Sequence, residues 1–220
     1  MRELDFSVIW LNWRYFLGGA VLTVQVSAMA VVIGLVLGSV AGLARISAVR
    51  IIRFLAAGYV EVIRGTPLLI QILFIYFGLA SLGLKIESRF AAGVAALSIN
   101  SGAYVAEIVR AGIQSIDKGQ MEAARSLGMS YRQSMTHVIL PQAYRRIIPP
   151  LVNEFIMLIK DSSLLYAIGM MELTMRGQTV KARTFKDFEI FIAIAVIYFI
   201  MTFTLSKVAG LVEGRSRIRD

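Results

Sequence analysis

The chain has 220 residues, 57% hydrophobic and 17% charged, with a mean hydropathy of +0.71 and a formal net charge of +9. A soluble domain carries about 25% charged residues, so there are too few here to cover a water-facing surface, and a membrane is the expected solvent. No cysteine is present, which excludes disulfides, thiolate metal sites and a cysteine nucleophile; the basic residues are spread between apolar runs, a pattern that membrane topology explains better than nucleic acid.

The N-terminus begins with mixed charge and leads into an apolar run far longer than that of a signal peptide. Tyr15 to Ala44 carries no charge. About 20 apolar residues cross the hydrocarbon core, so residues 15–44 make span one, tilted or protruding. Gly65 to Leu84 is also uncharged, and Thr66-Pro67 reads as an N-cap with proline at the first helical position. Span two is placed at 66–84.

Just before it, Arg50, Arg53, Glu61 and Arg64 share one helical face. Two readings are open: an amphipathic helix at the cytoplasmic interface, or the inner half of a long broken span two with Arg64 inside the membrane. The near-sufficient length of Pro67 to Leu84 favours the first. Residues 90–112, 147–171 and 190–212 complete five spans, which puts the termini on opposite sides.

Between spans three and four lies a polar segment, Asp117 to Pro141. Glu122-Ala123-Ala124, Gly128 and Leu140-Pro141 punctuate it as a short helix, a glycine stop, a second helix and a proline stop. This is a preformed knob outside the bilayer, suited to docking another protein. The alanines permit close approach to a partner groove, Glu122 can pair with a basic residue or cap a neighbouring helix, and Gly128 permits a left-handed exit. Pro141 is expected to end the second piece before span four. His137, the only histidine, reads as a packing or hydrogen-bonding residue. With the N-terminus outside, the inner segments, including Arg45, Arg50, Arg53, Arg145, Arg146, Arg215, Arg217 and Arg219, hold more Lys and Arg than the outer ones, which include Arg2, Lys85 and Arg89. The polar loop is then cytoplasmic; the cluster Arg176 to Lys186 is an exception.

Glu122-Ala123-Ala124, Gly128 and Val138-Ile139-Leu140-Pro141 resemble the EAA loop of bacterial ABC import permeases, with valine where isoleucine is usual. Four more segments look like the polar amino-acid permeases (histidine, glutamine, glutamate and arginine importers): Arg64-Gly65-Thr66-Pro67-Leu68, Tyr104 to Ile113, Lys118-Gly119-Gln120, and Lys160-Asp161-Ser162-Ser163-Leu164. The resemblance implies an all-α integral membrane fold of the type I, MetI-like kind: five transmembrane helices and a cytoplasmic coupling-helix loop in a bacterial cytoplasmic membrane. It implies a second permease subunit (a copy or a related chain), a pair of ATPase subunits that bind ATP and Mg²⁺, and an extracytoplasmic solute-binding protein. The coupling residues would be Glu122, Ala123, Ala124 and Gly128. Nothing in the chain resembles a phosphate-binding P-loop, so hydrolysis belongs to a partner.

Ionisable groups within spans need a partner, water or a function. Glu154 and Asp161 lie about two turns apart on one face of span four, and Asn100, Tyr104 and Glu107 form a stripe on span three. Asp161 is the first choice for an amino acid's ammonium; Asn100, Tyr104, Ser162 and Ser163 are neutral orienting groups. Glu154 adds negative potential and tilts the choice towards a basic amino acid. The alternative is that Lys160, Asp161 and Glu107 are structural ion pairs. Other functions considered are import of another small polar solute such as an opine, and a passive channel; an intramembrane enzyme lacks a nucleophile–base or metal cluster.

Overall fold

The computed structural model describes residues 4–216, with side chains described through Gly210. Arg2, Arg217, Arg219 and the side chain of Arg215, which enter the charge balance, lie outside the described residues. The described elements are helical: α1 (Ser7–Leu11), α2 (Trp13–Arg45), α3 (Arg50–Arg64), α4 (Leu68–Ser81), α5 (Arg89–Gln114), α6 (Lys118–Ser126), α7 (131–161), α8 (Leu173–Thr184) and α9 (Asp187–Ser216).

α5 is the central element, packed against α2, α3, α4 and α7. Its tightest partner is α2, and the contact is built from small residues. The buried positions of α2 are Gly19, Ala20, Thr23, Ser27, Ala30, Gly34, Gly38 and Gly42, joined by Phe16 and Val26. Small residues every fourth position let two helices approach closely where lipid offers no hydrophobic drive. A Cβ on Gly38 would sit 2.4 Å from Val105 Cβ and 2.6 Å from the Gly102 carbonyl, and one on Gly42 would sit 2.7 Å from the Ala106 carbonyl. The opposite faces of α2 and α9 expose Val32, Val36, Val40, Ile200 and Phe199, as lipid-facing surfaces should.

Among the described residues, three helices are long and apolar enough to cross a membrane: Trp13–Arg45, Arg89–Gln114 and Asp187–Gly210. The bent pair Arg50–Arg64 and Leu68–Ser81 adds a fourth crossing if taken together. The region expected as a span over 147–171 differs. Its helix begins earlier, carries Arg145, Arg146, Glu154, Lys160 and Asp161, and stops at Asp161. There the Ser162 hydroxyl donates back to the Ile159 carbonyl at 2.8 Å, and the chain tightens into a 3₁₀ turn, Ser162–Ile168. Gly169, at φ 70°, reverses the chain, and Glu172 starts α8 by accepting from Thr174 and Met175 N–H at 2.8 Å each. Tyr198 of α9 donates to the same carboxylate at 2.9 Å.

Pro141 also departs from its expected role as a stop. The helix passes through it, because a π turn, Met135–Ile139, precedes it. The wider turn re-routes the backbone ladder where proline lacks an N–H and its ring would crowd the preceding turn. α7 is therefore one helical element from the polar loop to Asp161.

The α2–α5 seam makes a direct prediction. Gly38→Leu must displace Val105 or the backbone of α5, costing roughly 1–3 kcal/mol. The purified protein should melt at a clearly lower temperature in detergent, whereas Val36→Leu on the lipid face should leave the melting temperature unchanged.

Candidate functional site: a cavity at a broken helix

α3 and α4 meet at an angle of 104°. A helix end inside a membrane leaves carbonyls that must find donors. Here Thr66 Oγ1 donates to the Val62 carbonyl at 3.0 Å. The Gln71 side chain, from the first turns of α4, reaches back: its Nε2 donates to the Ile63 carbonyl at 2.7 Å and to the Thr66 carbonyl at 3.0 Å. Its Oε1 accepts from Asn100 Nδ2 at 3.0 Å. Tyr59 adds a bond to the Ile99 carbonyl at 2.7 Å. The elbow is thus latched to the middle of α5.

Beside the elbow is a cavity of about 350 Å³, lined by Arg64, Gly65, Thr66, Pro67, Leu68, Asn100, Tyr104, Glu154, Met157 and Asp161. It brings together four of the residues expected from the sequence: Asn100, Tyr104, Glu154 and Asp161. Glu154 is 7% exposed and Asp161 half-buried. Ser162 and Ser163 are not part of the lining; Ser162 is fully buried and spends its hydroxyl on the 3₁₀ turn. Lys160 is exposed and outside the cavity as well.

The sequence leaves Arg64 between two placements and favours the interfacial one over a broken span two. The interfacial reading leaves it at the membrane surface, yet its guanidinium lies 5.2 Å from the Tyr104 ring centroid, close to the middle of α5. The 104° bend does this, by turning the last residue of α3 inward. Gln71 gave no signal of its own within an apolar run. The expected ion pairing of Glu107 is present, but with Arg45 and Arg110 rather than Lys160.

The arrangement is polarised. Arg64 and the N-terminal end of α4 supply positive potential on one side, and Glu154 and Asp161 supply two carboxylates on the other. Among the described residues, no group of His, Asp or Glu is placed to hold a metal ion.

The polar loop forms a second candidate surface. Asp117 caps α6, its Oδ1 accepting from Gly119 N–H at 2.7 Å. Gly128, at φ 83°, closes the helix with paired bonds: its own N–H donates to Arg125 at 3.1 Å and Met129 N–H donates to Ala124 at 3.2 Å. Ser130 and Gln133 then cap the start of α7 reciprocally. Glu122, Ala123 and Gly128 are exposed, while Ala124 is buried within the loop. Leu127, unremarked in the sequence, is 84% exposed and is the most protruding apolar side chain of the knob.

Near the N-terminus, Asp5 pairs with Lys186, and that ammonium holds the Asp5 carboxyl well below the usual carboxylate range. The pair ties the N-terminal segment to the start of α9.

Comparison with known proteins gives a consistent result. Residues 34–218 match the family described as "Binding-protein-dependent transport system inner membrane component". The chain is 44% identical over 218 residues to the glutamine transport system permease protein GlnP of Escherichia coli (strain K12), covering 98% of this chain and 99% of that one. It is 40% identical over 219 residues to the arginine transport system permease protein ArtQ of Bacillus subtilis (strain 168), covering 99% and 100%. Its backbone superposes with a TM-score of 0.93, at 46% identity, on a structure described as an amino acid ABC transporter with histidines, covering 97% of this chain and 100% of that one. The shared fold, the share of each chain covered and the family match lead to one conclusion: the chain belongs to the binding-protein-dependent transport inner-membrane family and is a multi-pass permease subunit of an ABC importer, with ATP hydrolysis on a separate subunit.

Proposed function

We propose that the chain forms the pathway for a polar L-amino acid with a basic side chain, bound in the cavity at the α3–α4 elbow. The observation that carries this reading is the juxtaposition of one guanidinium with two carboxylates in a single cavity. An α-carboxylate fits Arg64 and the free N–H groups at the start of α4. Asp161 takes the α-ammonium, and Glu154 is left for a cationic side chain, since a charge inside a membrane calls for a partner. Asn100 and Tyr104 orient the ligand. Glutamine is the second reading, favoured by the 44% identity to a glutamine permease; it leaves one carboxylate without an ionic partner.

In this account the N-terminus is extracytoplasmic and the α6 knob is cytoplasmic, where it seats in a groove of an ATPase that binds ATP and Mg²⁺. Glu122, Ala123 and Leu127 meet the ATPase, and Gly128 fixes the angle of α6. A solute-binding protein delivers the ligand on the opposite face, and a second permease subunit closes the pathway. α7 supplies the transmission: roughly 45 Å long at 1.5 Å per residue, it joins the knob to Glu154 and Asp161, so rigid-body movement of the ATPase reaches the cavity.

Two outcomes test this. In proteoliposomes with the cognate binding protein and ATPase, uptake should prefer L-arginine and L-lysine over L-glutamine, and Asp161→Asn should raise the apparent KM about tenfold or more while the complex still assembles. Unchanged affinity in that variant contradicts the assignment. At the knob, Gly128→Val places a β-branched residue at φ 83°, costing at least about 1–2 kcal/mol locally. It should lower ATPase co-purification or uncouple hydrolysis from uptake, with amino-acid binding retained; normal coupled uptake would rule out the docking role.

A further inference from the structure

A second cavity, of about 400 Å³, adjoins the first and is lined by Arg45, Val60, Glu61, Arg64, Gly65, Tyr104 and Glu107. The two share Arg64, Gly65 and Tyr104. Its other residues lie further along α2 and α5 towards the coupling loop: Arg45 ends α2, and Glu107 is nearly one turn beyond Tyr104. The second cavity is therefore the next space a solute meets on leaving the elbow in that direction. Its size suits a free amino acid.

Its charges are unevenly engaged. Glu107 is held by ion pairs to both Arg45 and Arg110, and Arg110 Nε also donates to its two oxygens at 3.2 and 3.1 Å. Glu107 is thus already neutralised. Arg64 and Glu61, by contrast, are in no ion pair among the described residues, and both are exposed to the cavity. Arg64 and Glu61 lie nearly one turn apart on α3 and so present a cation and an anion side by side, the charge pattern of a zwitterion reversed.

We infer that this second cavity is a release subsite for the amino acid. Arg64 keeps hold of the α-carboxylate at the boundary, stacked on Tyr104, while the ammonium leaves the Glu154–Asp161 side and passes to Glu61. Glu61 lies open along the cavity, whereas Glu154 is 7% exposed and Asp161 half-buried; water in the cavity screens Glu61's attraction for the ammonium more, and the subsite is weaker than the elbow cavity. A weaker site downstream of a tighter one lets the ligand leave in two small steps rather than one large one. This inference rests on the reading of the elbow cavity as the primary site.

The test is equilibrium binding of radiolabelled L-arginine, with L-glutamine in parallel, to the complete permease–ATPase complex in nanodiscs without ATP. Two phases are expected, saturating at two amino acids per permease chain. Glu61→Gln should weaken the second phase at least about tenfold, and Glu61→Asp should restore it. A single phase saturating at one per chain overturns the release subsite, as does a second phase indifferent to Glu61→Gln. Asp161→Asn separates the two claims, because it should weaken the first phase. If that variant leaves the first phase unchanged, the elbow reading fails instead, and binding of neither amino acid would overturn both.

Discussion

A helix that ends inside a membrane leaves backbone carbonyls unpartnered, at a cost of several kcal/mol each in hydrocarbon. The Gln71 side chain removes that penalty at the α3–α4 elbow. One carboxamide serves the Ile63 and Thr66 carbonyls and is itself held by Asn100. With the bend stabilised, Arg64 is turned inward and the start of α4 is presented to a cavity. Broken helices are tolerated at membrane depth only where they line such a space. The latch thus connects a local hydrogen-bond problem to the cavity proposed to bind solute.

Around this elbow the proposed mechanism divides the molecule into a closely packed frame and an element that transmits. The small-residue seam between α2 and α5 leaves no room even for a Cβ at Gly38 or Gly42, so Asn100 and Tyr104 sit on a closely packed frame. α7 does the opposite. Beginning at the Ser130 cap in the knob and ending at Asp161, it carries Pro149 and Pro150 within its length, places where a helix can bend. In the proposed mechanism, movement of the knob would change the position of Glu154 and Asp161 relative to Arg64 more readily than it changes the frame. Alternating access needs that difference in stiffness.

Much of this was legible in the sequence, for physical reasons that differ from residue to residue. The apolar runs of α2, α5 and α9 are long enough to show by composition alone. Gly128 was readable because only a left-handed position explains a glycine between two capped helices. Asn100, Tyr104, Glu154 and Asp161 stood out because polar groups are costly at that depth. The elbow was only partly legible: a broken span two with Arg64 inside the membrane was one of two open readings, and the less favoured. What decides between them is Gln71 meeting Asn100, a contact between residues 29 apart that no local pattern encodes. Pro141 and the end of α7 misled for a related reason: a π turn and a serine back-bond redirected the backbone, and neither has a periodic signature. The protrusion of Leu127 depends on how the two loop helices pack, which spacing alone does not reveal.

The central claim is that the ligand sits at the elbow with its charges divided between Arg64 and the Glu154–Asp161 pair. A structure of the permease–ATPase complex with bound L-arginine measures this most directly. The account predicts density in the elbow cavity with the α-carboxylate against Arg64 and the ammonium against Asp161. Well-ordered ligand density elsewhere in the pathway, with the elbow cavity filled only by solvent, would contradict it.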